Sequence, residues 1–290
     1  MNTNTIDWNE VWNETMWRHK QLHGAVDDTD PWSTTENARR FWNMSQQDGG
    51  ERVRKIIDGL ALGPDSRVLD IGAGPGTLAI PIASQVDHVT AVEPSRGMAG
   101  VLQDNIEEYG LENIICVQKR WEDVTIEVIE SSFDVIIASF SLHMPDIRDA
   151  IRKMMDVSRG HIYLYWFAGE TSWDTQYCNI WPTLHGSEYH TGPKCDVLYN
   201  VLYQMGIYPN IEVFPLEHIT RFSSLDEAVG HYRHHYQVTT PMQEDVLREF
   251  LRESVLEVEE DGGKAGNKDE LIQRGRSLRV KLWWDSRDFG

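Results

Sequence analysis

The sequence predicts an α/β domain with a mostly parallel, seven-stranded sheet and helices on both faces. Short segments rich in Val and Ile alternate with amphipathic segments between residues 67 and 167. This alternation is typical of buried parallel strands and of the helices that flank them. A glycine-rich segment follows the first of these strands, as a ligand-binding turn does in sheets of this kind. With 290 residues, 40% of them hydrophobic, the chain can bury one large core.

The first 50 residues are predicted to form a helical arm or lid. They are rich in Trp and polar residues and contain two helix-like segments, residues 8–22 and 34–46. Ser33, with Glu36 three residues later, predicts a capping box at the start of the second segment. The Trp side chains of this arm could shape an apolar pocket for a ligand.

Residues 51–290 are predicted to form the main domain. Its first helix, residues 51–60, has apolar side chains at i, i+3, i+4 and i+7 and ends before a Gly-Pro pair, which breaks helices. The strands predicted after it are residues 67–71, 88–92, 114–118, 133–139 and 161–167. The helices predicted between them are residues 77–84, 96–109 and 146–157.

Two insertions are predicted in this domain, at about residues 168–195 and 223–270. The first begins with an aromatic-rich stretch, residues 168–193. We interpret this stretch as a binding lid or an Ω-like loop, because a connection of this length is usually functional. The other expected elements are helices at about residues 196–205, 225–236 and 244–258, and strands at about residues 211–216 and 278–284.

Composition and charge argue against several classes of protein. No apolar run approaches the roughly 20 residues that a membrane helix needs, and the N-terminus is polar and acidic, unlike a signal peptide. We therefore expect a cytoplasmic protein that does not bind membranes. The formal net charge of -19 repels a phosphate backbone, so no nucleic acid partner is expected.

Cysteine and histidine spacing predicts no metal site. Cys116, Cys178 and Cys195 are an odd number without a CxxC pair, which indicates reduced thiols. The three histidines of the segment HYRHHY have helical spacing, but no acidic or thiol partner accompanies them. We interpret them as surface or pocket-lining residues.

The segment VLDIGAGPG, residues 68–76, is the clearest motif in the chain. Asp70 lies at the carboxyl end of the predicted strand, and Gly72, Gly74 and Gly76 follow it in a turn that leads into a helix. Glycines allow a ligand to approach the backbone and permit dihedral angles that other residues avoid. The spacing is GxGxG, whereas a dinucleotide site more typically has GxGxxG.

These residues resemble the first motif of the class I S-adenosylmethionine-dependent methyltransferases, which are Rossmann-like. The resemblance covers about residues 52–167 and implies that residues 70–76 bind the methionine part of S-adenosyl-L-methionine. Glu93 lies roughly 20 residues beyond the first glycine, where an acid can accept hydrogen bonds from both ribose hydroxyls. The resemblance also places Pro94 and Met98 near the ribose and the adenine.

Residues after the third and fourth strands are assigned by the same resemblance. The backbone of Trp121 would face the edge of the adenine, and either Glu122 or Asp123 would accept from its exocyclic amine. Candidates for the cofactor and acceptor surface after the fourth strand are Ser139, Leu142 and His143. His143 could act as a general base, because an imidazole titrates near neutral pH, or it could position the substrate.

The sequence therefore predicts methyl transfer to a small-molecule acceptor that it does not identify. It lacks the NPPY-like tetrapeptide associated with methylation of amino groups on bases and glutamine. Two other hypotheses stay open, a non-catalytic S-adenosylmethionine-binding or regulatory protein and a nicotinamide-dependent oxidoreductase, of which the GxGxG spacing disfavours the second. We expect the arm and the first insertion to select the acceptor.

Overall fold

The computed structural model describes residues 6–22, 32–46, 49–126, 128–129, 132–258 and 271–289. The chain divides into two units. Unit 1 contains residues 1–166, 195–212 and 280–290, and unit 2 contains residues 167–194 and 213–279. The described part of the helical arm therefore belongs to the same unit as the glycine-rich segment.

The described strands form one sheet. They are Arg67–Ile71 (β1), His88–Val92 (β2), Ile114–Val117 (β3), Phe133–Ser139 (β4), Ser158–Phe167 (β5), Asn210–Phe222 (β6), Glu257–Val258 (β7) and Leu271–Asp285 (β8). Their order is β3-β2-β1-β4-β5-β8-β6, and the first five of these strands pair in parallel. The predicted seven-stranded, mostly parallel sheet is confirmed, with the two-residue β7 added antiparallel to β8.

The strand β8 begins at Leu271, earlier than the expected start near residue 278. Side chains alternate between the two faces of a strand, and the buried positions in the first part of β8 include Gln273, Ser277 and Arg279. Because these buried residues are polar, the alternation does not produce the apolar pattern by which strands are recognised.

The helices are Trp8–Leu22 (α1), Thr35–Ser45 (α2), Glu51–Asp58 (α3), Ala79–Ala83 (α4), Arg96–Glu108 (α5), Ile147–Val157 (α6), Ser172–His185 (α7), Cys195–Gln204 (α8), Leu225–His235 (α9) and Pro241–Phe250 (α10). In unit 1, α1, α6 and α8 contact one another, and α2 packs on α5. Trp12 and Met16 are the buried side chains of α1. No helix in the described part of the chain is long and apolar enough to cross a membrane.

The N-cap of α2 is Thr34, so the expected capping role of Ser33 is wrong. The Thr34 backbone is extended, with φ -93° and ψ 140°, and its hydroxyl accepts a hydrogen bond from Asn37 N at 3.3 Å. An N-cap side chain reaches the third residue of its helix, and Thr34 has the position and the backbone conformation for this contact.

Unit 2 has its own apolar core. The core residues come from the end of β6, from α7, α9 and α10, and from the segments that follow α9 and α10: Ile180, Leu184, Phe222, Ala228, Val229, Tyr236, Val238, Leu247, Leu251 and Val255. Residues 251–255 continue α10 as a turn of π-helix. The expected helix at about residues 244–258 therefore begins earlier, at Pro241, and is not α-helical throughout.

Where the sequence suggested a lid or an Ω-like loop, unit 2 contains the helix α7. Thr171 and Asp174 form a capping box at its start, and Gly186, with a φ of +70°, ends it. Ile180 and Leu184 lie one helical turn apart and are buried in the core of unit 2. The apolar face of α7 packs inside the unit, but the many polar and aromatic residues of this segment made its helical pattern difficult to recognise in the sequence.

Candidate functional site

The glycine-rich turn after β1 presents open backbone in unit 1. Gly72 and Gly74 have φ angles of +74° and +58°, a conformation that residues with a Cβ atom rarely adopt. A Cβ atom on Gly72 would lie 2.2 Å from the Cβ of Ser141. At Gly74, by contrast, no described atom lies within 4 Å of the position that a Cβ would take. The backbone at Gly74 is therefore accessible to a ligand.

Hydrogen bonds from two neighbouring elements hold this turn. Gly72 N donates to Val92 O at 2.7 Å, which links the turn to the end of β2. Asn105 Nδ2 on α5 donates to Pro75 O at 2.8 Å. Asn105 is fully buried, and a buried amide that satisfies a backbone carbonyl fixes the position of that backbone. The turn is thus preorganised by β2 and α5.

Two carboxylates, Asp70 and Glu93, are buried in this region. Glu93 Oε2 accepts from Gly74 N, and Glu93 Oε1 accepts from Ser95 N, both at 2.8 Å. Asp70 Oδ2 has no hydrogen-bond partner among the described residues. Burial, and then the charge of Glu93, raise the pKa of Asp70 to about 7, because both disfavour its ionised form. The pair can stabilise a cation or accept from hydroxyl groups.

The segment after β3 is anchored to α6. Trp121, at the start of a short 3-10 helix, is buried, and its Nε1 donates to Ala150 O at 3.1 Å. Lys153 Nζ donates to the carbonyl oxygens of Trp121 and Val124, and it lies 4.5 Å from the centroid of the Trp121 ring. Glu122 and Asp123 are exposed, so the structure leaves either carboxylate accessible.

The loop after β4 brings the predicted residue His143 next to Trp166, with ring centroids 5.5 Å apart. His143 keeps an exposed surface. Desolvation, with the nearby charges of Lys20 and His19, lowers the pKa of His143, so its ring is neutral at pH 7. Leu142 is fully buried and therefore offers no exposed side-chain surface.

The arm helix α1 contacts the same loop. Trp12 Nε1 donates to Met144 O at 2.9 Å, and Lys20 Nζ donates to His143 O at 3.1 Å. Asn9 Nδ2 donates to Asp146 Oδ1 at 3.1 Å. These contacts place α1 beside the loop that carries His143.

The segment before α2 reaches the start of α5. Ser95 Oγ donates to Trp32 O at 2.7 Å. A Cβ atom on Gly97 would lie 2.4 Å from that same carbonyl oxygen, so only glycine allows this approach. A cavity of about 450 Å³ adjoins this contact and is lined by Ser33, Thr35, Arg96, Gly97, Ala99, Gly100, Gln103, Cys116 and Gln118. It does not include the glycine turn or the two carboxylates.

The structure brings Asp70, Gly74 and Glu93 together through the contacts described above. Pro94 follows Glu93 and is exposed, whereas Met98 is buried on α5, and Ser139 is half-buried at the end of β4. Sequence reasoning missed three residues that support the site: Asn105, Ser141 and Lys153. Of these, Asn105 had a signal, because it is a polar residue on the apolar face of α5.

Among the described residues, no group of three or more His, Cys, Asp and Glu side chains is arranged to hold a metal ion. The three cysteines are free thiols.

Comparison with known proteins identifies the segment that carries the glycine turn. Residues 68–160 match the family model of a methyltransferase domain. An uncharacterized protein from Haemophilus influenzae is 27% identical over 239 residues, which cover 80% of this chain and 81% of that protein. The uncharacterized methyltransferase YcgJ from Bacillus subtilis is 28% identical over 127 residues, 42% of this chain and 48% of its own length.

Solved structures share the fold. A candidate methyltransferase from Bacillus halodurans superposes with a TM-score of 0.56 at 18% identity, covering 80% of this chain and 97% of that chain. The structure of YcgJ from Bacillus subtilis gives a TM-score of 0.52 at 16% identity, covering 79% of this chain and 97% of that chain.

Proposed function

This chain belongs to the class I S-adenosylmethionine-dependent methyltransferases, and we propose that it transfers the methyl group of S-adenosyl-L-methionine to a small-molecule acceptor. The observation that carries the proposal is the open backbone at Gly74, whose N–H donates to the buried carboxylate Glu93, with a second buried carboxylate, Asp70, close enough to interact with Glu93. The cofactor has a cationic ammonium and sulfonium and two ribose hydroxyls, which complement two acids.

The residues present fit this cofactor. Asp70 Oδ2 is a buried acceptor without a hydrogen-bond partner among the described residues, and a buried polar atom of this kind favours a ligand that satisfies it. Each carboxylate oxygen can accept more than one hydrogen bond. Glu93 can therefore keep its bonds to Gly74 and Ser95 while it accepts from the ribose.

The nucleoside part would be held by residues that follow β2, β3 and β4. We assign the adenine and ribose contacts to Pro94, Met98, Trp121, Glu122 or Asp123, and Ser139. Lys153 supports this assignment, because its bonds to the carbonyls of Trp121 and Val124 fix the segment after β3. Gly72, Gly74 and Gly76 are proposed to contact the methionine part.

S-adenosyl-L-methionine supplies a methyl group that its positively charged sulfur already activates. The protein then has to hold the acceptor nucleophile in line and exclude water. We propose that neutral His143 accepts the acceptor's proton at a ring nitrogen when the acceptor is protonated at neutral pH. Its lowered pKa supports a neutral ring.

The proposed acceptor is a small molecule and not a nucleic acid, because the net charge of -19 opposes a polyanion. We further propose that the arm, residues 1–50, and the first insertion, residues 168–193, select the acceptor. The support is that the glycine turn and both carboxylates belong to the remaining part of the chain, while unit 2 has a separate core.

The test is a screen with S-adenosyl-L-methionine labelled on its methyl group, using fractionated small metabolites in one arm and total RNA in another. We expect label in a metabolite fraction with wild-type protein and much less with the variant Glu93→Ala. Label only in RNA would show that the acceptor is RNA and not a small molecule. Cofactor binding without transfer to either arm would favour the non-catalytic alternative.

A further inference from the structure

The cavity of about 450 Å³ in unit 1 is lined by residues from the start of α2, from α5 and from β3. Its volume lies in the range of roughly 300–1,000 Å³ that small-molecule sites occupy. Gly97 is buried in its lining, whereas Arg96, Gly100, Gln103 and Gln118 are exposed, so a ligand can enter from solvent. The residues proposed for S-adenosyl-L-methionine lie outside this lining.

Arg96 is the charged residue of the cavity. The lining contains no Asp or Glu, although acids outnumber bases by 46 to 27 in the whole chain. Within the described part of the chain, the Arg96 side chain forms no hydrogen bond or ion pair. A guanidinium keeps its charge at any physiological pH. The cavity is therefore a locally positive place on a protein with a net charge of -19.

The start of α5 adds partial positive charge beside Arg96. The N-cap of α5 is Ser95, whose side chain makes no capping hydrogen bond, because its hydroxyl donates to Trp32 O instead. The first N–H groups of a helix have no acceptor within that helix, and they carry part of the positive end of its dipole. This helix end supports the charge of the guanidinium and attracts the same kind of ligand.

Neutral hydrogen-bonding groups make up most of the remaining lining. They are two hydroxyls, two amides and a thiol, from Ser33, Thr35, Gln103, Gln118 and Cys116. Burial, and then the charge of Glu93, raise the pKa of Cys116 to about 11, so the thiol is protonated at neutral pH and adds no negative charge. Hydroxyls and amides both donate and accept hydrogen bonds, and they therefore match a ligand with several hydroxyl groups.

We propose that this cavity binds a small polyhydroxy compound that carries one phosphate group, with the phosphate at Arg96. A guanidinium pairs with two phosphate oxygens at once, and a phosphate keeps a further oxygen for the N–H groups at the start of α5. The hydroxyls and amides of the lining bind the body of the ligand. One phosphate needs only a local cation, so the net charge that opposes a polyanion does not oppose this ligand in the same way.

Calorimetric titration of the full-length protein tests this site, with ribose 5-phosphate as the charged probe and ribose as the neutral probe with the same body. We expect ribose 5-phosphate to bind at least about tenfold more tightly than ribose, because only the phosphate forms charge-assisted hydrogen bonds. Saturating S-adenosyl-L-methionine should leave this affinity within about twofold. Equal binding of the two sugars, no binding of either, or competition by S-adenosyl-L-methionine would overturn the proposal.

Variants locate the binding. Arg96→Gln should reduce the affinity for ribose 5-phosphate to that for ribose. Gly100→Leu should abolish binding by filling the cavity, and it should fold, because an added Cβ meets no described atom within 4 Å and leucine favours a helix more than glycine does. Arg18→Gln, an exposed arginine of α1 outside the lining, removes the same charge and should bind as wild type does. Wild-type affinity in Arg96→Gln or in Gly100→Leu would reject the site.

Discussion

Asp70 and Glu93 are both buried acids of unit 1, but the protein holds them differently. Glu93 accepts from two backbone N–H groups, which favour its charge. Asp70 Oδ2 has no hydrogen-bond partner in the described chain, and burial raises the pKa of Asp70 to about 7 although a backbone hydrogen bond at Ala79 acts in the opposite direction. Asp70 therefore carries a proton for part of the physiological pH range, whereas the backbone bonds of Glu93 favour its ionised form.

The variant Glu93→Ala should weaken S-adenosyl-L-methionine binding by about tenfold for each hydrogen bond lost, because bonds to a charged group contribute roughly 1.5–3 kcal/mol. Titration calorimetry on the folded variant measures this change. Glu108→Ala, an exposed acid at the end of α5, is the control and should leave the affinity unchanged. If Glu93→Ala binds the cofactor as tightly as the control does, the ribose contact is misassigned.

The variant Asp70→Asn should change how stability depends on pH. The pKa of Asp70 in the folded protein, about 7, lies above the ordinary value of 3.8, so the folded form holds the proton more tightly. The stability that this proton contributes is present below about pH 4 and is lost as pH rises through 7. Between pH 4 and pH 8, the free energy of unfolding of wild type should therefore fall by roughly 2–4 kcal/mol relative to that of Asp70→Asn.

Denaturant unfolding at several pH values measures this difference without cofactor. A difference between the two proteins that stays constant across the range would show that Asp70 does not titrate there. The same variant should bind S-adenosyl-L-methionine more weakly at pH 8, since the amide cannot supply the negative charge that a cationic ligand favours.

At the scale of elements, α5 donates one side-chain hydrogen bond to the glycine turn. Asn105→Ala removes the donor to Pro75 O and leaves a buried carbonyl without its partner, which costs roughly 1–3 kcal/mol. We expect a lower melting temperature and also a weaker affinity for S-adenosyl-L-methionine. Gln103→Ala, on the exposed side of α5, should change neither. A melting temperature that falls while the affinity stays constant would limit Asn105 to a structural role.

Strands with apolar residues at buried positions could be predicted closely, and β1, β2 and β4 have the expected bounds. The pattern fails where buried positions are polar, as at Gln273, Ser277 and Arg279 in β8. It also fails for α7, whose polar and aromatic residues concealed a helix that packs in unit 2. Periodicity reports a buried face only when that face is apolar.

The residues of the candidate site also differ in whether the sequence predicts them. The acids and glycines lie in short segments whose spacing can be read directly from the sequence. Ser141 and Lys153 come from distant parts of the chain, and their roles depend on which elements become neighbours. Ser141 packs against Gly72 because β1 and β4 are adjacent in the sheet. No local pattern encodes such a contact before the strand order is known.

For the whole molecule, we expect unit 1 to bind the cofactor and unit 2 to affect methyl transfer without affecting cofactor binding. Leu247 and Leu102 are both fully buried, Leu247 in unit 2 and Leu102 in unit 1. Leu102 Cδ1 would lie 2.7 Å from a Cβ atom on Gly76, so it supports the glycine turn directly. Replacing either leucine with alanine removes core packing at a cost of about 2–5 kcal/mol.

We expect Leu247→Ala to keep the affinity for S-adenosyl-L-methionine within about twofold of wild type and to impair methyl transfer, because unit 2 contains the first insertion, which we propose to help select the acceptor. Leu102→Ala should weaken cofactor binding instead. Hydrogen exchange read by mass spectrometry shows which unit each variant loosens, and calorimetry gives the affinity. The opposite outcome, in which Leu247→Ala loses the cofactor while exchange in unit 1 stays as in wild type, would assign cofactor binding to unit 2 and reject the proposed division.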